Sequence, residues 1–292
     1  SPCPVALAAI KQANLRYVDD IYSLRGEQFD IFYDCGAICY DAVGAPRIGA
    51  VELTGSGDNL YRQLAPATPV ISIDRSLTKQ LETIFGMAVS SQLAIEKLTA
   101  ASTANKSWLV FGFGKIGRGI AYLCKKNGYD ISIIDNSAHA RAQAVELGIH
   151  AYSNEDSEIK QVIQRADIIV TATGHADILQ AYDKAWFDHK ILVNMGILDE
   201  FGPRFDKEVL NNKLPINFIL EDPTPIIYID AEMYAHNEAT LALLHNKFAN
   251  GVHPMPTALD HDIINRWCQF HGETREDMQR WFIPFNPLDA VA

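Results

Sequence analysis

Short apolar runs alternate with amphipathic stretches through the middle of the chain. Between the runs lie segments with helical spacing, such as Ile116–Lys126 and Ala138–Leu147. The apolar runs are Trp108–Phe111, Ile131–Asp135, Asp167–Thr171 and Ile191–Met195. Mostly apolar strands separated by helices are typical of a parallel sheet covered on both faces. The pattern predicts an α/β fold with a doubly wound parallel sheet, a Rossmann domain.

The chain before this region predicts a mixture of helices and strands. We expect a helix over Val5–Leu24, strands at Phe29–Asp34 and Val70–Asp74, an irregular glycine-rich stretch over Gly44–Gly57, and a long helix over Leu77–Ala101. After the central region, the apolar runs Asn217–Leu220 and Pro225–Ile229 are further strand candidates. Helices over Ala231–Asn250 and Thr257–His271, a helix start at Thr274 and an extended tail over Pro284–Ala292 follow.

These patterns predict two lobes. Residues 1–84 form the first part of a smaller α/β lobe, residues 85–237 form the cofactor domain, and residues 238–292 form C-terminal helices that return to the first lobe. A chain of 292 residues is long enough for this division.

Composition excludes several classes of partner. The net charge of −11 disfavours nucleic acid and anionic membranes as partners. No apolar run reaches the ~20 residues that a membrane-spanning helix needs, and the start has no signal-peptide pattern. The five cysteines include no C-x-x-C pair, and no zinc-ligand pattern occurs, so we expect a cytoplasmic protein without a metal site.

A glycine-rich loop follows the strand Trp108–Phe111 and opens a helix. In this loop Gly112 permits a tight turn, Gly114 lets the backbone approach a pyrophosphate, and Gly117 lets the helix pack on the strand. The intervening Lys115 and Ile116 begin the helix, whose N-terminal amides favour a phosphate group. The spacing G-x-G-x-x-G in this context predicts a dinucleotide site.

Asp135 ends the next strand, about 20 residues further on, where the motif expects an acid for the adenosine ribose hydroxyls. Its carboxylate would repel a 2′-phosphate, so the residues Asp135 and Asn136 favour NAD over NADP. The alternative for Asp135 is the N-cap of the following helix.

Two later strand ends carry small and polar residues. Ligands of open parallel sheets bind outside the carboxyl ends of the strands. We therefore expect the nicotinamide side of the site to be lined by Thr171, Ala172, Thr173, Gly174 and Asn194. Ordinary strand-to-helix turns are the alternative interpretation.

The chain resembles the S-adenosylhomocysteine hydrolase family over nearly all of its length. The resemblance runs through VFGFGKIGRG, the acid at Asp135 with Gln-Ala at Gln143, Thr-x-Thr-Gly at Thr171 and Asn-x-Gly at Asn194. It also includes FYDCGA, ELTGSGDNLY, PVISIDRSLTKQLETIFG and AHNEATLAL. The family oxidises a ribose 3′-hydroxyl with enzyme-bound NAD, eliminates the thiol, adds water and reduces the ketone again.

The resemblance implies roles for four further residues. Asp34 matches a carboxylate near the reacting ribose carbons, and Glu52 matches one that holds ribose hydroxyls. His236 matches a histidine at the hinge, and Lys79 is the candidate for the lysine that takes the hydroxyl proton.

The chain also departs from the family. Ile197 stands where the family has a histidine, and an aligned reading places Thr78 rather than Lys79 at the lysine position. The first third of the family's substrate lobe and its C-terminal Lys and Tyr have no counterpart, which suggests a divergent, N-terminally shortened member. These departures weigh against classical S-adenosylhomocysteine hydrolysis.

The sequence therefore predicts an NAD-dependent enzyme that oxidises a secondary hydroxyl of a nucleoside-like or other small polar substrate, with a homo-oligomer as a further expectation. Two alternatives stay open. One is a 2-hydroxyacid-type dehydrogenase, which would need an arginine near the nicotinamide. The other is a non-catalytic NAD-binding regulatory or interaction protein.

Overall fold

The structure is a computed structural model that describes residues 3–284. Its strands are β1 (Ile31–Asp34), β2 (Gly49–Glu52), β3 (Pro69–Ser72), β4 (Trp108–Phe111), β5 (Ile131–Ile134), β6 (His150–Tyr152), β7 (Ile168–Thr171), β8 (Ile191–Asn194) and β9 (Gly251–Pro254). Its α-helices are α1 (Pro4–Gln12), α2 (Ile38–Val43), α3 (Gly55–Leu64), α4 (Leu77–Gln80), α5 (Met87–Thr99), α6 (Lys115–Asn127), α7 (Ala138–Glu146), α8 (Ile159–Arg165), α9 (Ile226–His245), α10 (Thr257–His271) and α11 (Arg275–Gln279).

The chain divides into two compact units. The first unit contains residues 1–75 and 236–256, and the second contains residues 76–235 and 257–292. The helix α9 runs through the division at residue 236. The predicted extended tail from Pro284 lies, apart from its first residue, outside the described residues.

The second unit is built on a five-stranded parallel sheet with the order β6-β5-β4-β7-β8. This order, with β4 in the middle, is that of the Rossmann fold. Every residue of β4, β5 and β7 is buried, as expected for strands covered on both faces. The predicted doubly wound α/β fold is confirmed, and β4 and β7 end side by side where the order of the strands reverses.

The first unit has a four-stranded parallel sheet with the order β1-β2-β3-β9. The carboxyl ends of β1 and β2 are in register, so that Asp34 pairs with Glu52. A small apolar core that includes Phe32, Ala50 and Tyr61 packs beside the sheet. The two carboxylates therefore sit next to each other at one edge of this sheet.

Several predicted elements differ from the structure. The first helix ends at Gln12, because Asn14 takes a positive φ of 53°. The stretch over Gly44–Gly57 is not irregular throughout: its four residues Gly49–Glu52 are fully buried and form β2. The strand β9 follows directly after a predicted helix end at Asn250, where the sequence pattern indicates no strand.

The two apolar runs after β8 are helical rather than extended. The run over Asn217–Leu220 lies mostly in a short 3-10 helix, Ile216–Ile219. The run over Pro225–Ile229 begins α9, which continues without a break for 20 residues. A short apolar run does not distinguish a strand from a buried helical turn, and here the length of the helix decides.

The C-terminal helices also group differently from the predicted division. From residue 257 on they belong to the second unit, whereas we expected residues 238–292 to return to the first. The reason lies in Asp260, whose carboxylate accepts hydrogen bonds from the amides of Leu77 (2.7 Å) and Thr78 (2.9 Å) at the start of α4. This contact ties α10 to the second unit.

Candidate functional site

The glycine loop of the second unit leaves its backbone open at one position. A Cβ on Gly117 would overlap the carbonyl oxygen of Gly112, and a Cβ on Gly112 would meet the carbonyl of Ala172. These two glycines are required by close packing. Gly114, in contrast, has no atom within 4 Å of the place where a Cβ would stand. It immediately precedes the 13-residue helix α6, so the N-terminal amides of that helix can be reached by a ligand.

Asp135 is held in place by the backbone around the glycine loop. Its Oδ2 accepts a hydrogen bond from the amide of Phe113 at 2.7 Å, and its Oδ1 accepts one from the amide of Ser137 at 2.8 Å. The N-cap of α7 is Ser137 and not Asp135, because the Ser137 hydroxyl accepts from the amide of Ala140. The capping alternative for Asp135 is therefore wrong, and the carboxylate faces a cavity.

This cavity has a volume of about 360 Å³ and extends along the carboxyl ends of the strands. Six of the predicted cofactor residues line it: Gly112, Gly114, Asp135, Asn136, Ala172 and Thr173. It is also lined by residues that no sequence motif marks, among them Phe113, Ser137, Asn154, His175 and Tyr182. The open backbone at Gly114 and the carboxylate of Asp135 fit an adenine dinucleotide at its pyrophosphate and ribose.

The other predicted cofactor residues lie near the cavity without lining it. Lys115, Ile116 and Gly117 form the first turn of α6. Thr171 is fully buried and its hydroxyl donates to Oδ1 of Asn194 at 3.0 Å, while the Asn194 amide donates to the carbonyls of Gly196 and Leu198. Thr171 and Asn194 thus connect the ends of β7 and β8. Gly174 donates its amide to Glu200, a residue that lies outside the sequence motifs.

Lys79 lies in a buried cluster of charges in the second unit. Its Nζ is 2.5 Å from Oε1 of Glu232 and 2.8 Å from Oε2 of Glu82. Burial alone would lower the pKa of Lys79, but the charges of Glu232 and Glu82 outweigh burial and the pKa is raised above 10.5. Lys79 is therefore an ammonium ion at neutral pH.

Thr78 does not compete with Lys79 for this position. The Thr78 hydroxyl donates to Asp260 at 2.7 Å, so it caps α4 rather than joining the charge cluster. Of the two neighbouring residues, the structure therefore places Lys79 between the carboxylates.

In the first unit, Asp34 accepts four hydrogen bonds from its own surroundings. The amides of Cys35, Cys39 and Tyr40 donate to it, and so does the hydroxyl of Tyr61 at 2.6 Å. Burial, together with the charge of Asp34, raises the pKa of the Cys39 thiol to about 12 and also raises the pKa of Tyr61. Both side chains stay protonated at neutral pH. The oxygens of Asp34 are thus occupied by the loop that follows β1.

Glu52 is occupied in the same way. Its carboxylate accepts the amides of Gly36 and Ala37, each at 2.9 Å, and both the amide and the hydroxyl of Thr54, each at 2.7 Å. A Cβ on Gly57 would overlap this carboxylate, so the glycine makes room for it. Glu52 therefore joins the loop after β1 to the loop after β2.

His236 and Ile197 complete the survey of the predicted positions. His236 is buried, its Nε2 lies 2.7 Å from the carbonyl oxygen of Val51, and its ring packs edge-on against Tyr33. Ile197, at the position of the family's histidine, is 94% exposed. Across residues 3–284 we find no group of histidine, cysteine or carboxylate side chains arranged for a metal ion. In the same range, no helix combines the length and apolar character that a membrane span requires.

Comparison with known proteins identifies the cofactor domain. The family model for the S-adenosyl-L-homocysteine hydrolase NAD-binding domain matches residues 83–217. Residues 83–217 belong to that family. The match includes the glycine loop, Asp135 and the ends of β7 and β8, and the predicted cofactor, NAD, is confirmed.

Solved structures share parts of the fold at low identity. One of the subunits of dipicolinate synthase from Bacillus halodurans is 11% identical, with a TM-score of 0.47 over 68% of this chain and 67% of that one. An NADPH-dependent glyoxylate/hydroxypyruvate reductase from Sinorhizobium meliloti, in its apo form, is 15% identical, with a TM-score of 0.31 over 42% of this chain and 70% of that one.

Proposed function

We propose that the chain is an NAD-dependent enzyme related to S-adenosylhomocysteine hydrolase that oxidises a secondary hydroxyl of a nucleoside-like or other small polar substrate. The observation that carries the proposal is the open cavity at Gly114 and Asp135 within a domain of that family. Bound NAD would supply a hydride acceptor. The residues of the chain must then bind the dinucleotide and manage the hydroxyl proton.

The dinucleotide would be held by two features of the cavity. The amides at the start of α6 can donate to the pyrophosphate at Gly114, where the side chain is missing. The Asp135 carboxylate can accept hydrogen bonds from the hydroxyls of the adenosine ribose. The same charge disfavours a 2′-phosphate, which supports NAD rather than NADP.

Lys79 fits the role of a hydrogen-bond donor better than that of a base. A lysine whose pKa is raised already carries its proton and has no lone pair to accept another. Its ammonium group could instead stabilise the negative charge that develops on the substrate oxygen. The hydroxyl proton would then pass to Glu82 or Glu232, which lie within 2.8 Å of the ammonium.

Asp34 and Glu52 fit a supporting role. Each carboxylate already accepts four hydrogen bonds from loops of the first unit, so proton exchange would leave buried amides without an acceptor. We therefore propose that they fix the loops after β1 and β2. His236, which contacts the carbonyl of Val51, remains a candidate for a ligand contact.

A non-catalytic NAD-binding protein is the second candidate, because specific observations favour it. Ile197 is exposed at the place of the family's histidine, and the two carboxylates of the first unit are occupied. The 2-hydroxyacid dehydrogenase has weaker support, since no arginine is found among the described residues that line the cavity.

Turnover with a panel of substrates separates the candidates. The purified protein, loaded with NAD, is incubated with nucleosides and with 2-hydroxyacids, and the absorbance of reduced nicotinamide is followed. The enzyme proposal expects reduction with a nucleoside-like compound, and a loss of at least about 100-fold in rate for Lys79→Met. NAD binding without reduction by any compound would favour the non-catalytic candidate, whereas reduction only by hydroxyacids would favour the dehydrogenase.

A further inference from the structure

Glu200 is an enclosed carboxylate at the end of β7. It is 0% exposed. The amide of Gly174 donates to its Oε1 at 2.7 Å, and the amide and hydroxyl of Thr173 donate to its Oε2 at 2.8 Å and 2.9 Å. Glu200 thus binds the turn that follows β7, and Thr173 of that turn lines the dinucleotide cavity.

The loop after β8 provides the space for this carboxylate. A Cβ on Gly196 would overlap Oε1 of Glu200, so the Asn-x-Gly segment must carry glycine there. The Asn194 side chain holds the same loop through the carbonyls of Gly196 and Leu198. Two strand ends therefore cooperate to enclose one acidic side chain.

Glu200 carries its charge without a cationic partner. Within residues 3–284, every hydrogen bond that it accepts comes from a neutral amide or hydroxyl of Thr173 or Gly174. Several neutral donors stabilise the ionised form of a carboxylate, but they do not cancel its net charge. A negative charge consequently lies directly behind the cavity wall at Thr173.

We propose that Glu200 makes the site prefer oxidised NAD⁺ over NADH. The two forms differ by one positive charge, which lies on the nicotinamide ring of NAD⁺. The turn at Thr173 is on the side of the cavity away from Asp135, where the nicotinamide half is expected. At an effective dielectric constant of about 20, a unit charge within about 12 Å changes a dissociation constant by about tenfold.

The test compares the dissociation constants of NAD⁺, NADH and ADP-ribose, measured by titration calorimetry. ADP-ribose lacks the nicotinamide and reports on the adenosine and pyrophosphate contacts alone. For the wild type we expect NAD⁺ to bind about tenfold or more tightly than NADH. In Glu200→Gln, which keeps the shape and removes the charge, this ratio should fall about tenfold, with little change for ADP-ribose.

Glu200→Asp is the matched control, because it keeps the charge on a shorter side chain. It should bind both forms of the cofactor more weakly but retain the preference for NAD⁺. A wild type that binds NADH as tightly as NAD⁺ overturns the proposal, even if no variant folds. A Glu200→Gln protein that loses affinity for all three ligands equally also overturns it, since Glu200 would then only hold the turn. None of these measurements needs a substrate, so their outcome is separate from that of the proposed reaction.

Discussion

The two units place acidic residues at the same position in a parallel sheet but use them differently. In the second unit, Asp135 follows β5 and borders a cavity of about 360 Å³. In the first unit, Asp34 and Glu52 end β1 and β2, and each is saturated by amides and hydroxyls of its own loops. The carboxyl edge of a parallel sheet thus provides a place for a ligand only where the backbone leaves donors and space unused. Gly114 leaves that space, whereas at Gly57 the side chain of Glu52 takes it.

The largest effect is expected for Asp34→Ala. This variant leaves three buried amides and the hydroxyl of Tyr61 without their acceptor, which should lower the free energy of unfolding by about 3–5 kcal/mol. Urea denaturation measures the change. Tyr61→Phe, which removes one of the four donors, should cost about 1–2 kcal/mol. If Asp34→Ala is as stable as the wild type, the carboxylate is not the anchor of the first unit that its contacts indicate.

The next effect concerns the charge cluster at Lys79. A raised pKa means that the folded state holds the proton more tightly than the unfolded chain. The stabilisation is therefore complete below pH 10.5 and is lost as the pH rises through the higher pKa of the folded state. The free energy of unfolding should decrease over this range in the wild type.

Lys79→Met removes that part of the pH dependence. It also leaves Glu82 and Glu232 buried without the ammonium, which should destabilise the protein by about 3 kcal/mol at neutral pH. Lys79→Arg keeps a charge and is the control. Curves of stability against pH that are parallel for the wild type and Lys79→Met between about pH 9 and about 12 would show that Lys79 does not couple to folding.

The smallest of these effects is expected for Asp135→Asn. It keeps a side-chain acceptor for the amides of Phe113 and Ser137 but removes the charge that faces the ribose. NAD should bind about tenfold more weakly, and NADP should bind relatively better. Calorimetry with both dinucleotides measures the ratio. An unchanged ratio would mean that the carboxylate does not discriminate between them.

The sequence predicts the open site better than the closed one. Glycine spacing and an acid about 20 residues later are local signals, so Gly112, Gly114 and Asp135 could be named from the chain alone. Asn154 lines the same cavity but carries no such signal, because β6 is three residues long and has no clear apolar run. Recognising that strand would have pointed to the residues after it.

The remaining contacts depend on pairs that are distant along the chain. Glu232 is 153 residues from Lys79, and Glu200 is 26 residues from Gly174. No periodicity connects such residues. Asp34 and Glu52 could be selected by family resemblance, but that their oxygens are filled by neighbouring amides depends on loop conformations that the sequence pattern does not specify.

The central claim is that the backbone at Gly114 accepts NAD, and Gly114→Ala tests it most directly. Alanine is sterically allowed there, since the backbone has a φ of −76° and no protein atom lies within 4 Å of the new Cβ. We expect an unchanged melting temperature and NAD binding at least about tenfold weaker by calorimetry, because the methyl group occupies the approach of the pyrophosphate. Gly128→Ala, at the C-terminal end of the same helix where φ is +70°, should show the opposite: lower stability and unchanged NAD affinity. If Gly114→Ala binds NAD as tightly as the wild type, the cavity at α6 is not the site of the cofactor.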